Sequence, residues 1–274
     1  MQQRTNFIFT PLFISGCLIL LISFAIRATF GLFQIPISEH FGWLRTEYSL
    51  AIAIQNLAWG IGQPIFSAIA EKYGDRKAIT LGAITYALGL VLSKYVVSPE
   101  SHQLLGILIG FGIAGTGFGI ILAVVGRTSA PENRSLSLGI ATSAGSAGQI
   151  VGPPIANILL ENMYWNDVFL VLAISIIAIL LLTPLIRTDI PSNKTTTEEN
   201  LSFVLKKAIS DPNYIMLFLG FFSCGFQLAF ITAHFPAFVT EMCSAIPQNS
   251  ILRSMGVSSV SSLGAFSIAL IGIT

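Results

Sequence analysis

The chain has 274 residues, 53% of them hydrophobic and only 10% charged, where a soluble domain carries ~25% charged residues. A large soluble core would need polar helix faces that this composition does not supply. The net charge of +1 carries no message about partners, and no nucleic-acid ligand is expected.

Eight stretches run about twenty residues or more with scarcely a charge, long enough in a helix to cross the ~30 Å apolar core of a bilayer. They are continuous rather than alternating, which excludes a membrane barrel and leaves helices. Helix 1 is predicted over Phe7–Ile37, helix 2 over Thr46–Ala70, helix 3 over Lys77–Val97 and helix 4 over Gln103–Gly126. Helix 5 follows over Arg134–Leu160 and helix 6 over Trp165–Ile186, closing a six-helix unit, residues 1–186. A polar linker, residues 187–211, carries a short amphipathic piece, Leu201–Lys207. Helix 7 (Asn213–Val239) and helix 8 (from Leu252) then begin a second unit, residues 212–274. The fold class is all-α and membrane-embedded.

Charge placement orients the chain. With the N-terminus in the cytoplasm, Arg4, Lys72, Arg76, Lys77, Arg127, Arg134, Arg187, Lys194, Lys206 and Lys207 all fall inside, and only Arg45, Lys94 and Arg253 outside. The chain is thus expected in a cell membrane, multi-pass, with its N-terminus inside. The sequons at Asn133 and Asn193 would then be cytoplasmic and unused. Cys17, Cys224 and Cys243 are odd in number and widely spaced, which gives neither a disulfide framework nor a metal site; no cofactor is expected.

Two segments carry motifs. The loop after helix 2 reads Ser67-Ala-Ile-Ala-Glu71-Lys72-Tyr-Gly74-Asp75-Arg76-Lys77, an acid and a base at a helix end, a glycine for a tight turn, then a basic pair. Helix 5 holds Gly139, Gly148, Gly152 and Pro153, spaced so that another helix can approach closely and the rod can kink. The first resembles the signature loop of the major facilitator superfamily, with Ser67 and Glu71 where that family usually has Gly and Asp. The second resembles the family's fifth-helix motif of exchangers and exporters, with Ala156-Asn157 in place of its trailing glycine pair. Arg27 to Phe33, Glu39 to Trp43 and Gly225 to His234 look like the monocarboxylate and oxalate/formate exchanger branch. The resemblance implies a six-helix N-terminal bundle plus the first two helices of a second bundle. It also implies alternating access, with a state-locking loop at Ser67, Glu71, Lys72, Gly74, Arg76 and Lys77.

Arg27 is the strongest candidate for chemistry. It lies ~15 Å before the outer end of helix 1, and a cation at that depth faces a cavity or a partner. No carboxylate in the apolar runs is deep enough to pair with it, so an anion from outside the protein is the expected partner. Gln34 shares its helical face seven residues on; Gln227 and His234 repeat that spacing on helix 7, and Asn56 and Gln63 on helix 2. Thr142, Ser146 and Gln149 form a further stripe, and His234 is a candidate proton carrier. Shifted by 200 residues, Ser23, Phe30 and Pro36 fall on Ser223, Phe230 and Pro236, a faint sign that a second half begins at helix 7. The expected function is secondary transport of a small organic anion, a mono- or dicarboxylate, by exchange or proton coupling. The alternatives are a proton-coupled exporter of hydrophobic or cationic compounds and a membrane sensor or enzyme. No phosphate-binding Gly-x-x-x-x-Gly-Lys motif is present. Twelve helices need roughly 400 residues, so the chain is expected to be incomplete, and another chain is a candidate source of the remaining helices.

Overall fold

The computed structural model describes residues 9–186 and 206–242, and all the regular structure among them is helical. The sequence marks its own helix starts. Thr10 caps α1 (Pro11–Arg27): its hydroxyl accepts the Phe13 N–H at 3.2 Å, and Pro11 stands where a missing N–H breaks no bond. The Glu47 carboxylate accepts the Leu44 N–H at 2.7 Å at the start of α3 (Arg45–Tyr73). Ser98 caps α5 (Pro99–Thr116) through the Ser101 N–H at 3.3 Å. One residue, Gly74, separates α3 from α4 (Asp75–Ser93), at φ 97°, a conformation that side chains oppose.

The described helices make seven passes, in the order expected. The first is α1 with α2 (Gln34–Phe41), the second α3, the third α4, and the fourth α5 with α6 (Phe118–Thr128). The fifth is α7 (Arg134–Asn162), the sixth α8 (Trp165–Leu182), and the seventh α9 (Pro212–Met242). By length and composition alone, Pro11–Phe41, Pro99–Thr128, Trp165–Leu185 and Pro212–Val239 suffice to cross a membrane. Helices α3, α4 and α7 are more polar and complete the bundle between them. The expected helix 8 and linker residues 187–205 lie outside the described residues.

Backbone contact holds the bundle together. Lipid gives no hydrophobic force between helices, so association depends on close packing. Helix α3 lies along α5 and α1 along α7, while α4 bridges α5 and α8. A methyl group on Gly106 would lie 2.6 Å from the Ala51 carbonyl oxygen, and one on Gly110 would overlap that of Gln55. Gly148 and Gly152 hold the same relation to the Leu21 and Ala25 carbonyl oxygens of α1. Gly139, from the same sequence motif, faces open space. Helix α7 runs uninterrupted through Pro153 and Pro154, and the breaks lie elsewhere.

Those breaks correct the sequence reading, which made helices 1 and 4 continuous. The first pass stops at Arg27, makes a 3-10 turn over Phe30–Phe33 and resumes as α2, ending at Phe41 rather than Ile37. The fourth stops at Thr116, passes through an extended Gly117 and resumes as α6. Helix α4 also ends at Ser93, short of the predicted Val97. Helix α9 meets the others through its last third: Thr232, Ala233, Pro236, Ala237 and Val239 are buried, several of them against the 3-10 turn, while nearly all of residues 212–227 are exposed.

Candidate functional site

Arg27 closes α1 near the middle of its pass and is 8% exposed. Its guanidinium lies 4.7 Å from the centre of the Trp59 ring and 6.0 Å from that of Phe24. One of its nitrogens donates to Asn56 Oδ1 at 3.3 Å. The Asn56 amide nitrogen is itself committed to the Ile52 carbonyl at 2.9 Å, which turns the side-chain oxygen toward the cation. Aromatic faces and one amide oxygen attract a guanidinium without neutralising it. Among the described residues no carboxylate pairs with Arg27. Arg27 lines a small, partly open chamber together with Phe30, Ile52, Gln55, Asn56 and, from α9, Thr232.

The structure brings some predicted residues to this chamber and sends others away. Gln34 no longer shares one helix with Arg27, yet it too reaches α3, donating to Ser49 Oγ at 2.8 Å, seven residues from Asn56. Gln63 lies at the break in the fourth pass, against Gly117 and Gly119. Gln149 is buried on α7 but lines neither the Arg27 chamber nor the larger cavity beyond it. Gln227 is exposed on α9, and the His234 ring rests 5.0 Å from Phe230. Sequence reasoning passed over Gln55 and Thr232. Gln55 immediately precedes Asn56 and had a readable polar signal; Thr232 had none beyond lying between Gln227 and His234.

A second cavity, of about 170 Å³, lies beyond Gly31, which borders both spaces. A methyl group on Gly31 would overlap the Thr232 carbonyl oxygen, so this contact forms the partition. The cavity is walled by Leu32, Ile35, Pro36, Leu160 and Pro236, with Asn157 and Glu161 supplying its polar atoms. Asn157 donates to the Glu161 carboxylate at 3.0 Å.

At the α3–α4 turn, Asp75 opens α4 and is 5% exposed, with Arg127 of α6 donating to it at 2.6 Å. A carboxylate there meets both a cation and the positive end of its own helix. Arg134 reaches back to the Gly126 carbonyl at 2.7 Å and ties the next loop. Of the six predicted loop residues, Glu71, Lys72, Arg76 and Lys77 are exposed, while Ser67 and Gly74 are half-buried. Lys72 lies 5.2 Å over the Tyr73 ring. Asp75, quoted in the motif but given no role, makes the loop's link to α6. At the opposite end, Asp167 accepts from Lys94 at 2.9 Å, and this bond holds the lysine ammonium above its usual range.

A family model described as the Major Facilitator Superfamily matches residues 16–274. The chain belongs to the major facilitator superfamily. This superfamily member is 26% identical over 218 residues to an uncharacterized MFS-type transporter, YcxA, of Bacillus subtilis, covering 76% of the chain and 52% of that relative. It is 28% identical over 162 residues to monocarboxylate transporter 11 of Mus musculus, covering 55% of the chain and 34% of that relative. The chain thus spans about half, or less, of the length of the curated relatives it matches. Among solved structures, a crystal structure of a D-xylose–proton symporter superposes with a TM-score of 0.66 at 13% identity, covering 96% of the chain and 65% of the other. That likeness establishes the fold. The protein is an integral membrane member of a transporter family and not an enzyme.

Proposed function

We propose that this superfamily member is a secondary transporter of a small organic anion, a mono- or dicarboxylate, working by alternating access with exchange or proton coupling. The observation that carries the reading is Arg27: a mid-pass guanidinium held by aromatic faces and one amide oxygen, with no carboxylate partner among the described residues. A cation left uncompensated in a low-dielectric interior costs several kcal/mol. A bound carboxylate offsets that cost through a two-pronged contact that lysine cannot reproduce. The monocarboxylate transporter relative supports the substrate class. The membrane is a cell membrane and the N-terminus is cytoplasmic, an orientation supported by the inward bias of lysine and arginine. A cysteine at Ser101 should therefore label only from outside; labelling from the cytoplasm alone would reverse the topology.

The test is uptake of labelled carboxylates by the full-length protein in vesicles, with surface level measured alongside. Arg27→Lys should cut uptake at least tenfold and Arg27→Gln should abolish it. Parent-level uptake by Arg27→Gln would overturn the anion reading. A second reading, export of cationic compounds, is favoured by one feature, the Glu161 carboxylate in the larger cavity. Under that reading Glu161→Gln, not Arg27→Gln, would abolish transport.

A further inference from the structure

The larger cavity differs from the Arg27 chamber in charge and in lining, and both differences bear on what it can hold. No lysine, arginine or histidine lines it, and its polar side chains are Asn157 and Glu161 of α7. The other walls are apolar, among them Ile35 and Pro36 from the first pass, Leu160 from α7, and Pro236 and Ala237 from α9. Its volume of about 170 Å³ slightly exceeds the ~150 Å³ of an apolar protein cavity that takes up benzene. One six-membered ring suits that space. Glu161 stands at the rim, exposed, one turn beyond the buried Asn157 that donates to it at 3.0 Å. This bond ties the carboxylate to the cavity wall. A carboxylate accepts at about four lone-pair positions, so one bond does not exhaust it. It can only accept, and an ammonium can only donate. An anionic ligand would meet like charge here, with no cation in the walls to receive it.

We propose that this cavity binds a monocyclic organic ammonium, its ring among the apolar walls and its ammonium on Glu161, and that the ligand inhibits transport. The ring would touch three passes at once, and alternating access needs the second unit to rock against the first. A ligand that fits one arrangement draws the population toward it. The Gly31–Thr232 contact separates this cavity from the Arg27 chamber, so the ligand would stop short of Arg27. Helix α7 ends at Asn162, outside when the N-terminus is cytoplasmic, which makes the external solution the source. The inhibition rests on the carboxylate reading above; the site itself does not.

The test is binding of labelled benzylammonium to the full-length protein in detergent. Benzyl alcohol, uncharged, and naphthylmethylammonium, with a ring too large, should each compete about tenfold more weakly than unlabelled benzylammonium. Glu161→Gln, at an exposed site where the fold is not at stake, should weaken binding about tenfold. Ala237→Leu should occupy the cavity and remove binding; if that variant unfolds, Ile35→Phe does the same from the facing wall. Arg27→Gln should bind as the parent does. Undiminished binding by Glu161→Gln, or equal competition by benzyl alcohol, would overturn the proposal. Loss of binding in Arg27→Gln would move the ligand to the other chamber and overturn it as well. In vesicles, benzylammonium should slow carboxylate uptake by the parent without itself accumulating. Accumulation would make it a substrate and overturn the inhibitor assignment. A parent that binds benzylammonium yet takes up no carboxylate would remove the anion reading and leave the site standing.

Discussion

The two interrupted passes reach the same depth of the bundle by different means. In the first, no residue between Arg27 and Phe30 is a glycine, and the turn is built by hydrogen bonds. Thr29 Oγ1 donates to the Ile26 carbonyl at 2.8 Å, and the Tyr48 hydroxyl, fully buried, donates to the Phe30 carbonyl at 2.6 Å. In the fourth, the interruption is a glycine, Gly117, in extended conformation, preceded by Thr116, whose hydroxyl shares a 2.8 Å hydrogen bond with Ser23 of α1. The breaks face one another across Phe24 and Phe118, whose rings are 4.2 Å apart. Unbroken α3 runs past both, contributing Asn56 and Trp59 toward the first and Gln63 toward the second. Polar side chains gather where helices are interrupted, because freed backbone groups and polar ligands need the same partners. One break is held by side chains and the other is permitted by the lack of one.

That contrast can be broken at three levels. The largest effect should come from Gly110→Leu, which drives a side chain into the Gln55 carbonyl and the Trp59 backbone and separates α3 from both breaks. Overpacking costs up to ~3 kcal/mol, and more in some sites, and the protein should fail to give a monodisperse species in detergent. A well-folded Gly110→Leu protein would show that α3 and α5 do not need this contact. Tyr48→Phe should act more modestly. It leaves the Phe30 carbonyl buried without its donor, a loss of ~1–3 kcal/mol, read as a lower Tm with the helical signal intact. An unchanged Tm would mean that the turn beside Arg27 supports itself. Gly119→Ala should do least, displacing only the flexible end of Gln63 and leaving stability within ~0.5 kcal/mol. A large loss there would show that the glycine-permitted break is the stiffer of the two.

The passes were legible in the sequence because a bilayer imposes length and hydropathy together, and Arg27 stood out because nothing else charged shares its run. The breaks were not legible. Phe30-Gly-Leu-Phe33 is as apolar as helix, and its turn is bound by Tyr48 from another segment. In Gly115-Thr-Gly-Phe-Gly119 the interrupting glycine is one of several in a run that equally suits close helix packing. The Asp75–Arg127 pair was equally hidden, since its members are 52 residues apart and each looks like ordinary loop charge. Gln227 and His234 were chosen because they repeat the Arg27–Gln34 spacing, and in the fold Gln227 is exposed while His234 rests against Phe230. Thr232 lines the chamber instead because α9 meets the first pass and α3 along a line that only the folded geometry defines.

The contact of α9 with the 3-10 turn also has a mechanical consequence. Thr232 and Pro236 sit near one end of a 31-residue rod, and its other end, at Pro212, has no comparable hold among the described residues. About twenty residues of helix separate Pro212 from Thr232, ~30 Å at 1.5 Å per residue. With the fulcrum at Thr232, a tilt of ~10° swings the far end by ~5 Å over that arm. The same tilt moves the atoms beside Gly31 by only a few tenths of an ångström.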